Sequence, residues 1–213
     1  DSCLWCMRLI SGHPYGCVLL GILVTYVDDF LILMHHGDER TALISAIKKL
    51  WDTSAECILS DTNPITFCGL ELCIENGQLN LHQRGYIHQL LAKYDLLQAK
   101  SLNNLAMPRE FPDEPPNEKE LQLLQCYAGE LNWLATRTRP DIAYPVSLLA
   151  SSLKKSESWS KCLAKKILRY LCGTRETGLV YPALDTSEGT SRSADDKQQL
   201  PQLHLQCFSD AGY

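Results

Sequence analysis

Two neighbouring acidic residues, Asp28 and Asp29, stand inside a long apolar stretch of this 213-residue chain, between the runs Val18 to Thr25 and Phe30 to Met34. Runs so rich in Val, Ile and Leu, broken by Tyr26-Val27-Asp28-Asp29, read as a β-hairpin whose turn presents two carboxylates to solvent. Burying either charge unpaired would be very costly. Two adjacent carboxylates also repel each other, and a cation shared between them relieves that repulsion. Hard oxygen donors of this kind suit Mg²⁺ or Mn²⁺, and Mg²⁺ needs few protein carboxylates when substrate phosphates and water complete its shell. Phosphoryl and nucleotidyl transfer use such carboxylates to hold a pair of metal ions. An ordinary Asp-Asp hairpin turn would show the same two residues, so the rest of the chain has to weigh between the readings.

Further motifs follow the hairpin in order: Phe67-Cys68-Gly69-Leu70-Glu71-Leu72, Gln83-Arg84-Gly85-Tyr86-Ile87, Gly129-Glu130-Leu131-Asn132-Trp133-Leu134, Thr138-Arg139-Pro140-Asp141-Ile142, Leu168-Arg169-Tyr170-Leu171-Cys172-Gly173-Thr174 and Phe208-Ser209-Asp210-Ala211. The Tyr-Val-Asp-Asp hairpin resembles the polymerase signature of reverse transcriptases. The whole series resembles the Pol polyprotein of copia-type LTR retrotransposons over nearly the full chain.

The resemblance implies an α+β fold: the C-terminal part of a reverse-transcriptase palm at 1–107, a Pro-rich connector at 108–117, a helical thumb at 118–181, a flexible linker at 182–202, and the first strand of a truncated ribonuclease H domain at 203–213. It implies that Asp28 and Asp29 bind Mg²⁺ (or Mn²⁺) for RNA-directed DNA polymerisation, and that Asp210 is the first metal-binding carboxylate of the ribonuclease H site. Tyr26 and Val27 would support the primer terminus, with Cys68, Gly69 and Leu70 forming a primer-grip-like segment beside it. Gln125, Gly129 and Trp133 would track the minor groove of a template-primer. The implied partners are an RNA or DNA template-primer duplex, deoxynucleoside triphosphates and the rest of the Pol polyprotein, in a cytoplasmic virus-like particle or the nucleus. The fingers, and the earlier palm strand carrying a third metal-binding Asp, are missing from these residues. This chain alone is therefore expected to be inactive, and a non-catalytic nucleic-acid-binding remnant is the alternative.

Composition is compatible with this picture. Hydrophobic content of 45% and charged content of 21% fit a soluble globular protein. The first residue is Asp rather than Met, and the chain reads as a piece of a longer one. A membrane span across Cys17 to Met34 is disfavoured by two carboxylates at its middle. Ten cysteines scatter without a disulfide framework, so reduced thiols are expected. Cys3-x-x-Cys6 has zinc-like spacing but no second pair nearby. A net charge of -5 looks wrong for a protein that grips nucleic acid, yet Glu130 to Leu179 holds nine basic residues against four acidic ones. The positive field is therefore local.

The elements that must position these residues can be read from patterning. Asp38 is expected to cap a helix to about Trp51, with Leu43, Ile44, Ile47, Leu50 and Trp51 inward and His35 and His36 facing solvent. Ile65 to Ile74 reads as one strand, with Gly69 either a close-approach position or a plain bulge. Asn76-Gly77 turns it back into Leu79 to Leu81. Gln83 to Tyr94 reads as a helix burying Ile87, Leu90, Leu91 and Tyr94.

Glu118 to Thr136 reads as a helix with the stripe Leu121, Leu124, Ala128, Leu131 and Ala135. On a neighbouring face lie Gln125, Gly129 and Trp133, for which a core anchor at Trp133 and a helix contact at Gly129 are the bland alternative. Asp141 is expected to cap the next helix, where Leu148, Leu149 and Leu153 face inward. Ser160 is expected to cap the last, with Leu163, Ala164, Ile167, Leu168 and Leu171 inward and Gly173 as its stop. Lys161, Lys165, Lys166 and Arg169 project from its other side, either as a nucleic-acid contact or as a solvated face.

Overall fold

The computed structural model describes residues 3–10, 17–107 and 114–182. Most of the Pro-rich connector, the linker from 183 onward, the strand expected at Leu203 to Phe208, and Asp210 lie outside these described residues. Within them the fold is α+β, with two antiparallel sheets and five α-helices.

The first sheet has the order β1 (Leu4–Ile10), β2 (Cys17–Tyr26), β3 (Asp29–Met34). The first strand, for which the sequence offered only a lead-in, pairs antiparallel with β2 along its length, with a register shift between Met7 and Arg8. β2 and β3 pair from Gly21↔Met34 to Tyr26↔Asp29, so only Val27 and Asp28 make the turn. Gly21 is required by crowding, since a Cβ there would lie 2.8 Å from the Leu33 carbonyl oxygen and from Met34 Cγ.

α1 (Asp38–Leu50) follows, but its cap is Gly37, which makes no side-chain bond. Asp38 is instead the first helical residue, where with Glu39 it meets the positive end of the helix dipole. Of the expected apolar face only Ile47 is buried; Leu50 is 71% and Trp51 54% exposed. Trp51 is not idle, because its ring centroid lies 5.8 Å from that of Phe30 on β3.

The second sheet has the order β4 (Ile65–Phe67), β5 (Leu70–Glu75), β6 (Gln78–His82), β7 (Leu179–Tyr181). The single strand expected over Ile65 to Ile74 is therefore two strands. Cys68 and Gly69 have φ of 51° and 74°, and Phe67 pairs directly with Leu70. Positive φ at both central residues is what a tight two-residue hairpin needs to match the strand twist. Asn76 and Gly77, at 54° and 73°, form the second such turn, as their sequence indicates. β7 returns from the end of the helical region to pair with β6, which periodicity did not reveal.

At the end of β6, His82 is nearly buried, with Nδ1 3.4 Å from Glu71 Oε2 and Nε2 3.4 Å from Cys73 Sγ. Glu71 Oε1 accepts from the Gly85 amide at 2.8 Å and so satisfies the start of the next helix. Burial, followed by the Arg84 charge, pushes the His82 imidazole below its ordinary value despite Glu71.

α2 (Arg84–Lys93), α3 (Glu118–Ala135), α4 (Ala143–Ser152) and α5 (Glu157–Gly173) share one apolar core. Ile87 and Leu91 of α2 meet Leu124, Leu131 and Leu134 of α3, Leu149 of α4, and Leu163, Ile167 and Leu171 of α5, all fully buried. Each such side chain contributes roughly 1.5–3 kcal/mol on burial, which explains why this part of the stripe reading holds. Tyr127 and Leu134 widen the α3 stripe beyond the residues periodicity selected.

Three expectations at the helix ends are corrected. Ser156, whose Oγ accepts from the Trp159 amide, caps α5; Ser160 is buried one turn inside it, 3.0 Å from the Ser152 hydroxyl. Gly173 is the last residue of α5 and is small because a Cβ would come within 3.1 Å of the Leu102 carbonyl oxygen and 3.0 Å of Ser101 Cβ. Asp141 sits in a 3-10 turn, Pro140–Ile142, and is not the cap of α4, which Ile142 precedes without a side-chain bond.

The Asp141 carboxylate serves Arg139 instead. Arg139 is fully buried; its Nε and Nη2 donate to Asp141 at 2.9 and 2.7 Å, and its Nη1 donates to the Thr174 carbonyl oxygen at 2.8 Å. Tyr170 donates to Asp141 as well, at 3.0 Å. Burial alone would raise the Asp141 carboxyl, but the hydrogen bonds and charge of Arg139, with Tyr170, hold it below the usual Asp value.

Asp141→Asn, measured by urea unfolding, is expected to lower stability by about 3 kcal/mol, because the buried guanidinium loses its counter-charge. The native carboxyl titrates below its unfolded value. This contribution is therefore full above the ordinary Asp range of about 4 and is lost as pH falls further, and the variant should lack that acid loss. His82 has the same linkage sign. Its native imidazole takes up a proton only at a lower pH than the unfolded one, so stability should decline as pH falls through about 6.5, and less so in His82→Gln.

Candidate acidic turn and nucleic-acid interface

The β2–β3 ladder holds Asp28 and Asp29 side by side, both exposed, at the tip of the first sheet. Val27 is 86% exposed and has φ of 51°, and Tyr26 is 51% exposed. A β-branched residue at positive φ is an outlier that costs of order 1–3 kcal/mol, and such strain gathers at sites where geometry serves a purpose. The ladder pairs Thr25↔Phe30 and Tyr26↔Asp29, with the Thr25 amide donating to the Cys3 carbonyl oxygen at 2.9 Å, over-determine the turn. In kind, the two carboxylates suit a hard cation. In number they fall short, since the described residues contain no group of three His, Cys, Asp or Glu side chains placed to hold a metal ion.

The Cys68-Gly69 turn feels the charge of that hairpin. The Cys68 thiol is pushed up first by burial and then by the charge of Asp29, and Arg137 acts in the opposite sense. One turn thus lies within electrostatic reach of the acidic hairpin and of the end of α3. Leu70 is half-buried and begins β5, directly behind the turn. Gly69 is exposed, and a Cβ there would sit 3.6 Å from Trp133 Cζ2. Gly69 is therefore a turn residue with an aromatic neighbour, and not a bulge within one strand.

Trp133 is half-buried and stands outside the fully buried core, with the Arg137 guanidinium 4.6 Å from its ring centroid. Gly129 and Gln125 are exposed one and two turns earlier, and a Cβ at Gly129 would meet nothing within 4 Å. The helix-packing alternative for Gly129 does not hold. The structure thus brings Cys68, Gly69 and Trp133 together, with the charge of Asp29 felt at Cys68 and with Gln125 and Gly129 on the same face of α3.

The basic face of α5 is a different matter. Lys161 is bound to Glu120 at 2.6 Å and Glu157 at 2.7 Å. Lys166 donates to the Ala106 carbonyl oxygen at 3.1 Å, and Arg169 Nε donates to that of Lys100 at 2.7 Å. These three hold the chain that follows α2 and the start of α3 against α5. Lys165 remains exposed. The residue that pattern reading passed over is Arg137, although the four-residue spacing of Gln125, Gly129 and Trp133 leads directly to it. Elsewhere, His35 and His36 are exposed, with His36 Nδ1 2.6 Å from Arg40 Nη1. Cys3 and Cys6 are exposed thiols in no disulfide. No described helix is long and apolar enough to cross a membrane.

No family model matches this chain, and no solved structure does. Among curated proteins it is 28% identical over 166 residues to a Saccharomyces cerevisiae protein named for transposon Ty5-1, covering 75% of this chain and 51% of that one. It is 30% identical over 166 residues to an uncharacterized mitochondrial protein of Arabidopsis thaliana, covering 74% of this chain and 63% of that one. It is 31% identical over 160 residues to the retrovirus-related Pol polyprotein from transposon RE1 of Arabidopsis thaliana, covering 74% of this chain but only 10% of the polyprotein. The chain therefore spans half to two-thirds of the shorter relatives and a small part of the polyprotein. With the Tyr-Val-Asp-Asp hairpin and the motifs that follow it, these likenesses place the chain in the copia-type retrotransposon Pol family, as a fragment of such a polyprotein.

Proposed function

We propose that this fragment belongs to an RNA-directed DNA polymerase, as the C-terminal part of its palm and its thumb, and that it serves nucleotidyl transfer to a primer 3′ hydroxyl. The observation that carries the reading is a Cys68-Gly69 turn that feels the charge of Asp29 and lies against Trp133, on an α3 face where Gly129 meets open space.

Asp28 and Asp29 would hold Mg²⁺ (or Mn²⁺), which when bound would neutralise charge on the incoming triphosphate and favour ionisation of the primer hydroxyl. The strained Val27 and the exposed Tyr26 carry the primer end next to those carboxylates. Gly69, without a Cβ, lets the backbone approach the same strand closely. Gln125, Gly129 and Trp133 lie along the duplex, with a polar amide, a gap and an aromatic face that tolerate any base pair. Lys165 is the α5 cation free to meet the phosphate backbone. Asp210 is assigned to the opening of a ribonuclease H site. Deoxynucleoside triphosphates and the remaining Pol segments are the partners, within a cytoplasmic particle or the nucleus.

A second reading, a nucleic-acid-binding remnant without catalysis, is favoured by one observation: the described residues supply two carboxylates and no third. Primer extension on an RNA template with Mg²⁺ separates the two. A version of the chain extended upstream by fingers and the earlier palm strand should extend primer, and Asp28→Asn should reduce the rate at least about a hundredfold. An extended protein that binds primer-template and never extends it supports the remnant reading.

Gly129 gives a further test. Gly129→Ala fills open space in the middle of a helix, so urea unfolding should show a gain of about 0.5–1 kcal/mol. The same methyl group would stand against the duplex. Binding of primer-template should weaken several-fold, a gain of stability at the expense of function.

A further inference from the structure

Arg137 differs from the paired cations of the helical region. Arg139 is buried against Asp141, Lys161 is paired with two glutamates, and Lys93 is paired with Glu130 at 2.5 Å. Arg137 is exposed and takes part in no ion pair with the described residues; its guanidinium lies over Trp133 with Cζ 4.6 Å from the ring centroid. Its backbone is fixed by the end of α3, where its amide donates to the Leu134 carbonyl oxygen at 3.2 Å. A guanidinium stacked on an indole uses its face, so the N–H groups around its edge stay free for a planar or tetrahedral anion. Stacking also removes most of the rotamer freedom that an exposed arginine would lose on binding.

Position supplies the second argument. Trp133 is the aromatic neighbour of Gly69, and the Cys68 thiol feels both Arg137 and Asp29. A positive group held over Trp133, against the Cys68-Gly69 turn and closing no ion pair with the described residues, suits an anion that lies along that turn. In a nucleic-acid strand whose 3′ end reaches the acidic turn, such an anion is a backbone phosphate a short way upstream.

We propose that Arg137, stacked on Trp133 beside the Cys68-Gly69 turn, binds a backbone phosphate of the strand that ends at Asp28 and Asp29. This rests on the polymerase reading above and assigns a contact that the α3 track by itself does not contain.

The test is fluorescence anisotropy of a labelled RNA–DNA primer-template with the 213-residue chain, titrated across a salt series, for wild type, Arg137→Ala and Arg137→Lys. Circular dichroism and urea midpoints should coincide for the three, because the side chain is exposed. Arg137→Ala should weaken binding about five- to tenfold at ~0.1 M salt and reduce the slope of log affinity against log salt by about one. Arg137→Lys should keep the slope and recover only part of the affinity, since an ammonium neither stacks nor forks. Wild-type binding with an unchanged slope and affinity in Arg137→Ala would overturn the assignment and leave the polymerase reading intact. Failure of wild type to bind any duplex would remove both.

Discussion

The buried guanidinium of Arg139 sets the geometry of much of this protein. A charge with no exposure to solvent must be satisfied completely, and three residues do so: Asp141 just beyond it, Tyr170 through that carboxylate, and Thr174, at the end of α5, through its main chain and hydroxyl. The end of α3 is thereby tied to the end of α5. Three residues past Thr174 the chain bends at Thr177, whose amide donates to the Thr174 carbonyl oxygen, and runs into β7 on the edge of the second sheet. The sheet with the Cys68-Gly69 turn and the helix with Trp133 are therefore held by one ionic knot, whose loss would leave an uncompensated buried charge.

From that anchoring the proposed site gains its precision. Its two turns both contain non-glycine residues at positive φ, Val27 and Cys68, a conformation that neither side chain favours. Short ladders on each side impose it: β2 on β3, and β4 on β5. The cost is local, and its result is a pair of strained tips, one acidic and one feeling its charge. A rigid scaffold supporting a strained tip is how a site maintains geometry in the absence of its ligand.

Charge shows how far a count of residues departs from a field. The segment from Glu130 to Leu179 holds nine basic residues, yet several of these cations are held internally by Asp141, Glu120, Glu157 and backbone carbonyls. The partly exposed pairs of Lys161 contribute little stability individually, about 0–1 kcal/mol, but such pairing determines which cations remain free to meet an outside anion. Arg137 is free because its neighbour is an indole and not a carboxylate.

The acidic hairpin, the Asn76-Gly77 turn, the cores of α2 and α3 and the inward face of α5 were legible in the residues alone, because each depends on residues close in the chain and on periodicity that one strand or helix must obey. The family was legible there too, through motifs in a fixed order. The rest depended on packing between distant segments. That Cys68-Gly69 is a turn and not the middle of a strand depends on Phe67 pairing with Leu70; that β7 joins β6 depends on residues about a hundred positions apart. Whether Asp141 caps a helix or neutralises Arg139, and whether Gly129 packs or stands open, depends on what lies across from each residue. Local pattern fixes which face of an element is apolar, but a polar or small residue takes its role from its partner, and the partner is brought there by the fold.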